Sequence, residues 1–139
     1  MKRVTGLGGV FFKCDDPEKV QAWYSKHLDI NAGQFGTMFV WRQKDAPDMV
    51  GTTTWSTFQA DTDYFDPSQK DYMFNYRVDN LVELLKVLEA EGVQIVGEMQ
   101  EFEYGKFAWI MDPEGNKIEL WEPLDMPLVA FEKMQQGGE

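Results

Sequence analysis

The chain has 139 residues, 43% of them hydrophobic and 14% aromatic, which is enough for one domain with a buried core and too apolar for a disordered chain. Thirteen basic against 24 acidic residues leave a formal net charge of −11, which speaks against nucleic acid and anionic membranes as partners, since both call for a basic surface. One cysteine, Cys14, excludes an internal disulfide and fits a reducing compartment; no apolar run approaches the roughly 20 residues of a membrane span, and Met1 to Gly6 lack the apolar stretch of a signal peptide, so the expected location is the cytoplasm.

A first strand is expected over residues 8–14, with Val10, Phe12 and Cys14 on one face and Gly9, Phe11 and Lys13 on the other. Asp15, Asp16 and Pro17 then signal a helix start, and Val20, Trp23, Tyr24 and Leu28 follow at helical spacing. Cys14 reads as a small core residue and His27 as a side chain placed favourably at the helix C-terminus. Strand-like runs follow at residues 36–43 and 51–58, and residues 59–71, rich in Asp, Pro and Ser, read as a linker. The pattern then starts again. Phe74, Tyr76 and Val78 form one face of a strand, and Met73, Asn75 and Arg77 the other. Asn80 and Glu83 make a capping box before the stripe Leu81, Leu84, Leu85 and Leu88, and Gly92 is a natural stop. Strands are expected at 93–99, 105–111 and 117–122, with Asp112 to Asn116 as the turn of the last hairpin. Beyond Pro123, Val129, Phe131 and Met134 allow a short helix, and Gly137, Gly138 and Glu139 are expected to fray.

The two halves are copies. Gly9 to Asp16 aligns with Met73 to Asn80 at an offset of 64, Phe35-Gly36 with Tyr104-Gly105 at 69, and Gly51 to Trp55 with Gly115 to Glu119 at 64 again. Such a repeat fixes architecture before any single residue is interpreted. The expected class is α+β: two tandem βαβββ modules forming a curved mixed sheet around a cleft, helices outside. The expected layout is a single domain over residues 1–125, made of module 1 (about 5–58), the linker (59–71) and module 2 (72–123), with a tail over 124–139.

A duplicated module of this kind, with Asp112-Pro-Glu-Gly-Asn116-Lys-Ile-Glu119-Leu-Trp121 near its end and Phe12-Lys-Cys-Asp-Asp-Pro17…Trp23-Tyr24 near its start, resembles the vicinal oxygen chelate superfamily, the glyoxalase, bleomycin-resistance and dioxygenase group. The resemblance covers about residues 5–123 and implies a divalent metal in the cleft, held by residues of the first and last strand of each module. Those positions fall on Gly9, Trp55, Met73 and Glu119, and only Glu119 can ligate such an ion. No metal site and no cofactor are therefore expected, although a divalent metal stays open. A dioxygenase, which needs two His and one carboxylate, is excluded, and ordinary glyoxalase chemistry is disfavoured.

Side-chain parity places Glu119 on the cleft face, as a general base, a ligand anchor or residual metal ligand, or a relic paired with a cation such as Arg77. Lys13, Arg77 and Lys117 share that parity, either as a cluster for an anionic group or as solvated rim charges. Phe11, Trp55, Met73, Asn75 and Trp121 complete the expected lining, either as a pocket for a flat or apolar molecule or as filler. Three readings follow: a metal-independent protein binding a small organic molecule in the cleft; a lyase or isomerase using Glu119 as base, with Arg77 or Lys13 holding an anionic substrate; or a non-catalytic interaction module with a filled cleft. A homodimer is compatible with each.

Overall fold

The structure, a computed structural model, describes residues 2–137. The elements run β1 (Val4–Cys14), α1 (Pro17–Leu28), β2 (Thr37–Gln43), β3 (Ala46–Gln59), β4 (Tyr72–Val78), α2 (Leu81–Ala90), β5 (Ile95–Phe102), β6 (Gly105–Met111), β7 (Lys117–Pro123) and α3 (Leu128–Gly137). The strands form one seven-stranded mixed sheet in the order β2-β3-β1-β4-β7-β6-β5. In each half the first strand pairs in parallel with the last, β1 with β3 and β4 with β7. The halves join along the antiparallel β1–β4 pair. This is the expected α+β architecture. Three strands follow the helix in the second half and two in the first, where residues 29–36 contain only the isolated bridge Gly33–Gly36.

Local signals fix the helix ends. The Asp16 side chain accepts from Lys19 N at 3.2 Å with Pro17 next in line, and Asn80 accepts from Glu83 N at 3.1 Å. Between β6 and β7, Asp112 Oδ1 accepts from the backbone of Glu114 and Asn116 at 2.8 and 2.9 Å. Those bonds, with the Asn116 side chain first among the causes, hold the Asp112 carboxyl below its usual range. Two positive-φ glycines, Gly36 and Gly105, stand where a β-carbon would strike the backbone carbonyls of Trp55 and Glu122.

Helices α1 and α2 lie on one side of the sheet. Leu81, Leu84 and Leu88 of α2 pack on Val78, Ala108 and Leu120, and each buried leucine contributes about 1.5–3 kcal/mol. Helix α1 departs from expectation. Val20 and Tyr24 are half-buried, but Trp23 and Leu28, expected in the same stripe, are 53% and 54% exposed. The helix is seated by Tyr24 against Phe12 and by a 2.8 Å bond from Gln21 to Thr57, so only part of its apolar arc reaches the sheet.

The opposite, concave face holds the groove. Residues 59–71 do more than link the halves. Phe65 is fully buried (0% exposed) in a second core with Phe11, Met73 and Trp109. The tail does form a helix. α3 closes one end of the groove through buried Phe131, a 2.9 Å bond from Val50 N to Met126 O, and the Met49–Pro127 bridge. The expected fraying of Gly137 to Glu139 lies in part outside the described residues, which end at 137. No helix among the described residues is long and apolar enough to cross a membrane.

Candidate functional site: the inter-module groove

Pairing sets the groove's lining. Across β4 and β7, Asn75 stands beside Glu119 and Arg77 beside Trp121. Across β1 and β3, Phe11 stands beside Ser56 and Val10 beside Trp55. Trp55 was expected on the cleft face; it lies on the helix face, its ring 5.4 Å from Phe12 and 4.9 Å from Tyr24. The cause is a slip of one residue in matching the repeats. Ser56 and Glu119 are 63 apart, whereas Phe11 and Asn75 are 64 apart, and one residue of slip moves a strand side chain to the other face. Ser56 is therefore the counterpart of Glu119.

Glu119 is 3% exposed. Such a carboxylate costs several kcal/mol unless it is paired. Three donors meet it. Asn75 Nδ2 donates to Oε1 at 2.6 Å, Trp109 Nε1 donates to Oε2 at 3.0 Å, and the Tyr64 hydroxyl donates to the same oxygen. Asn75, expected in the lining, stands on the groove face beside Glu119 but is 2% exposed and does not line the hollow itself. Its Oδ1 has no hydrogen-bond partner among the described residues and faces Gly8, the unpaired residue of a bulge between Leu7 and Gly9 where any β-carbon would collide with it.

Tyr64 went unseen in the sequence. It sits in the irregular stretch between β3 and β4, which has no periodicity to assign it a face. Its ring stacks on Phe58 at 5.6 Å and stands edge-on to Trp109 at 6.2 Å. Burial, with Glu119 next among the causes, pushes its hydroxyl far above the ordinary phenol range, so it remains a donor. Lys117, expected on this face, holds the same stretch down: its Nζ donates to the Tyr64 carbonyl at 2.7 Å and lies over the Tyr64 and Trp109 rings at 5.4 and 5.6 Å. Burial draws Lys117 below the usual lysine value, against the pull of Glu119, Asp66 and Asp63.

The cations do not form a cluster around Glu119. Arg77, a suggested partner, is 2% exposed and pairs instead with Asp125 of the tail. Its guanidinium lies between the rings of Trp41 and Trp121, at 5.2 and 5.3 Å, and donates to Thr52 O at 3.3 Å. Lys13 lies over the Phe65 ring at 5.4 Å. Half-buried Cys14 sits 3.7 Å from the Phe58 carbonyl, and burial pushes its thiol up.

The centre of the groove is filled. Met73, Phe11, Phe65 and Trp109 pack together, and the Phe11 ring lies 2.7 Å from where a Gly9 β-carbon would stand, taking the space that Gly9 leaves. Beside this plug a hollow of about 580 Å³ remains, lined by Phe11, Thr54, Ser56, Phe58, Tyr64 and Glu119 among others. Tyr64 also lines two smaller hollows on the second-half side, of about 340 and 320 Å³, so its ring partitions the groove.

The residues at the metal positions, Gly9, Ser56, Met73 and Glu119, do not fit a divalent ion. They supply one carboxylate, whose oxygens already accept three hydrogen bonds, and a catalytic site calls for about three protein ligands. Among the described residues no group of three or more His, Cys, Asp or Glu is placed to hold a metal.

No family model matches this sequence. No curated protein matches it either. Solved structures do. Methylmalonyl-CoA epimerase from Streptomyces coelicolor, in complex with 2-nitronate-propionyl-CoA, superposes with a TM-score of 0.63 at 10% identity, over 87% of this chain and 99% of that one. Methylmalonyl-CoA epimerase from Mycobacterium tuberculosis gives 0.55 at 21% identity, over 94% and 95%. A glyoxalase/bleomycin resistance protein/dioxygenase superfamily member from Vibrio splendidus gives 0.51 at 14% identity, over 84% and 98%. At such identities the likeness extends to the fold, and the fold of this chain is that of the vicinal oxygen chelate superfamily.

Proposed function

We propose that this protein binds a small organic molecule in the groove without a resident metal, the ligand occupying the 580 Å³ hollow and directing an N–H or O–H donor at Glu119. One observation carries the reading: the wall of a ligand-sized hollow contains a buried carboxylate held in part by the hydroxyl of a tyrosine from outside the sheet. Sites for small molecules run from about 300 to 1,000 Å³ and combine apolar walls with a few convergent polar groups. Asn75 and Trp109 are fixed within the sheet, whereas Tyr64 comes from a loop and is 37% exposed. A ligand hydroxyl or amide can take its place on Oε2. The remaining hollow speaks against the interaction-module reading, which rests on a groove filled throughout. The single free cysteine fits a reducing compartment, and the cytoplasm is the proposed location.

A thermal-shift panel of small aromatic alcohols, amines and amides tests this. Compounds that stabilise the wild type and fail to stabilise Glu119→Gln support it; a panel without a single stabiliser counts against it.

A second reading draws on the same pair. Tyr64 and Glu119 supply a proton donor and an acceptor at one wall, the elements of a proton-transfer enzyme, and solved epimerases share the fold. In that case a substrate is turned over by the wild type and only bound by Glu119→Gln. Normal turnover in that variant removes the reading.

A further inference from the structure

We propose a second binding chamber, beneath the C-terminal helix, for an apolar organic cation. A hollow of about 360 Å³ lies between α3 and the concave sheet, and no residue lines both it and the hollow beside Glu119. Its walls are Met38, Tyr104, Trp121, Met126, Phe131 and Met134. Three of these are methionines, whose flexible, polarizable side chains adapt to ligands of differing shape, and three are aromatic; the Trp121 ring already carries the Arg77 guanidinium, which leaves Tyr104 and Phe131 as the rings not engaged by a cation.

The charge at the chamber is of one sign. Glu103 and Asp125 line it, and no Lys or Arg does among the described residues. Arg77, the nearest buried cation, is engaged behind Asp125, and both it and Gln43 (2.8 Å) donate to Asp125 Oδ2. Oδ1 of Asp125 accepts from no donor among the described residues, and Glu103 is exposed. Asp125 is thus compensated by Arg77, and Glu103 is the carboxylate that an entering anion meets with no cation beside it in the lining. An ammonium on an aromatic or aliphatic body meets Glu103, the remaining oxygen of Asp125 and apolar walls, on a protein whose formal charge is −11. The roof is part of the folded molecule, anchored by buried Phe131 and by the Val50–Met126 bond, so the chamber is built by the chain itself.

Isothermal titration with benzyltriethylammonium, and with benzenesulfonate as an aromatic probe of opposite charge, tests the proposal on the full chain. The ammonium is expected to bind saturably and the sulfonate not at all. Glu103→Gln is expected to weaken the ammonium about threefold. Met134→Arg, a change at an exposed position that sets a cation in the chamber, is expected to weaken it tenfold or more, with an unchanged circular dichroism spectrum confirming the fold. Neutral donors that bind beside Glu119 are expected not to displace it. Absence of ammonium binding, equal binding of the sulfonate, indifference to Met134→Arg, or displacement by those neutral donors would each overturn the proposal; the last would place the cation in the first hollow and leave that hollow's own assignment standing.

Discussion

The Tyr64 hydroxyl and the Glu119 carboxylate, 55 residues apart in sequence, meet inside the groove, and their hydrogen bond ties the segment between the two halves to the last strand. The bond is one of three that make a buried carboxylate tolerable. Tyr64→Phe is expected to destabilise the fold by about 1–2 kcal/mol and Glu119→Gln by about 1–3 kcal/mol, since the new amide turns a donor toward donors. The two changes are expected to be non-additive by at least about 0.5 kcal/mol in a double-mutant cycle of urea unfolding. Additive effects would mean the bond contributes nothing.

Alkaline pH reads the same bond. In the fold Tyr64 keeps its proton, while in the unfolded chain a phenol ionises near about 10. Its contribution is fully present below pH 10 and is lost as pH rises above 10, because only the unfolded chain then releases the proton. Lys117 acts oppositely: its lowered folded value makes stability rise as pH climbs toward the unfolded value of 10.5. Comparing the wild type with Tyr64→Phe cancels the lysine. The stability gap between them is expected to be flat from pH 8 to about 9 and then to shrink, by about 0.5–1 kcal/mol per pH unit around pH 10, below the limiting ~1.4 because the unfolded phenol is only partly ionised near its own pKa. Urea midpoints across pH 8–11 check this.

Arg77 and Asp125 fasten the tail. Arg77→Ala removes a buried guanidinium from between two indole rings and strands its carboxylate, with an expected cost of about 3–5 kcal/mol. Asp125→Asn is milder and is expected to speed amide hydrogen exchange in α3, at Phe131 among others, while leaving α2 unchanged.

The parity of β3 separates two neighbours. Trp55→Ala is expected to cost about 3–5 kcal/mol by emptying the contact with Phe12 and Tyr24, yet to leave ligand affinity of the folded protein intact. Ser56→Trp is expected to fill the hollow and abolish binding. Calorimetry on both variants, with any compound that stabilises the wild type, checks the assignment.

That pair also marks the limit of what the sequence discloses. The repeat located both halves, the caps at Asp16 and Asn80, and the cleft faces of β1, β4 and β7, because strand alternation and helix start signals are local. It misplaced Trp55 because the spacing from first to last strand differs by one residue between the halves, a difference invisible without the pairing. It offered Arg77 as one partner for Glu119 because parity gives a face and not a position along it; Arg77 lies two residues on, beside Trp121. Tyr64 and Phe65 carried no pattern at all, since an irregular segment acquires its direction only from what it packs against.

The most direct measurement follows the Trp109 indole N–H, which donates to Glu119 at 3.0 Å, by ¹⁵N-resolved NMR while 4-methylphenol, a mimic of the tyrosine side chain, is titrated into the Tyr64→Ala protein. The account predicts a saturable shift of the Trp109 indole, none at exposed Trp23, and loss of the shift when Glu119→Gln is added. An unmoved Trp109 at saturating phenol, or an equal shift at Trp23, would contradict the claim that the hollow beside Glu119 recognises a hydrogen-bond donor.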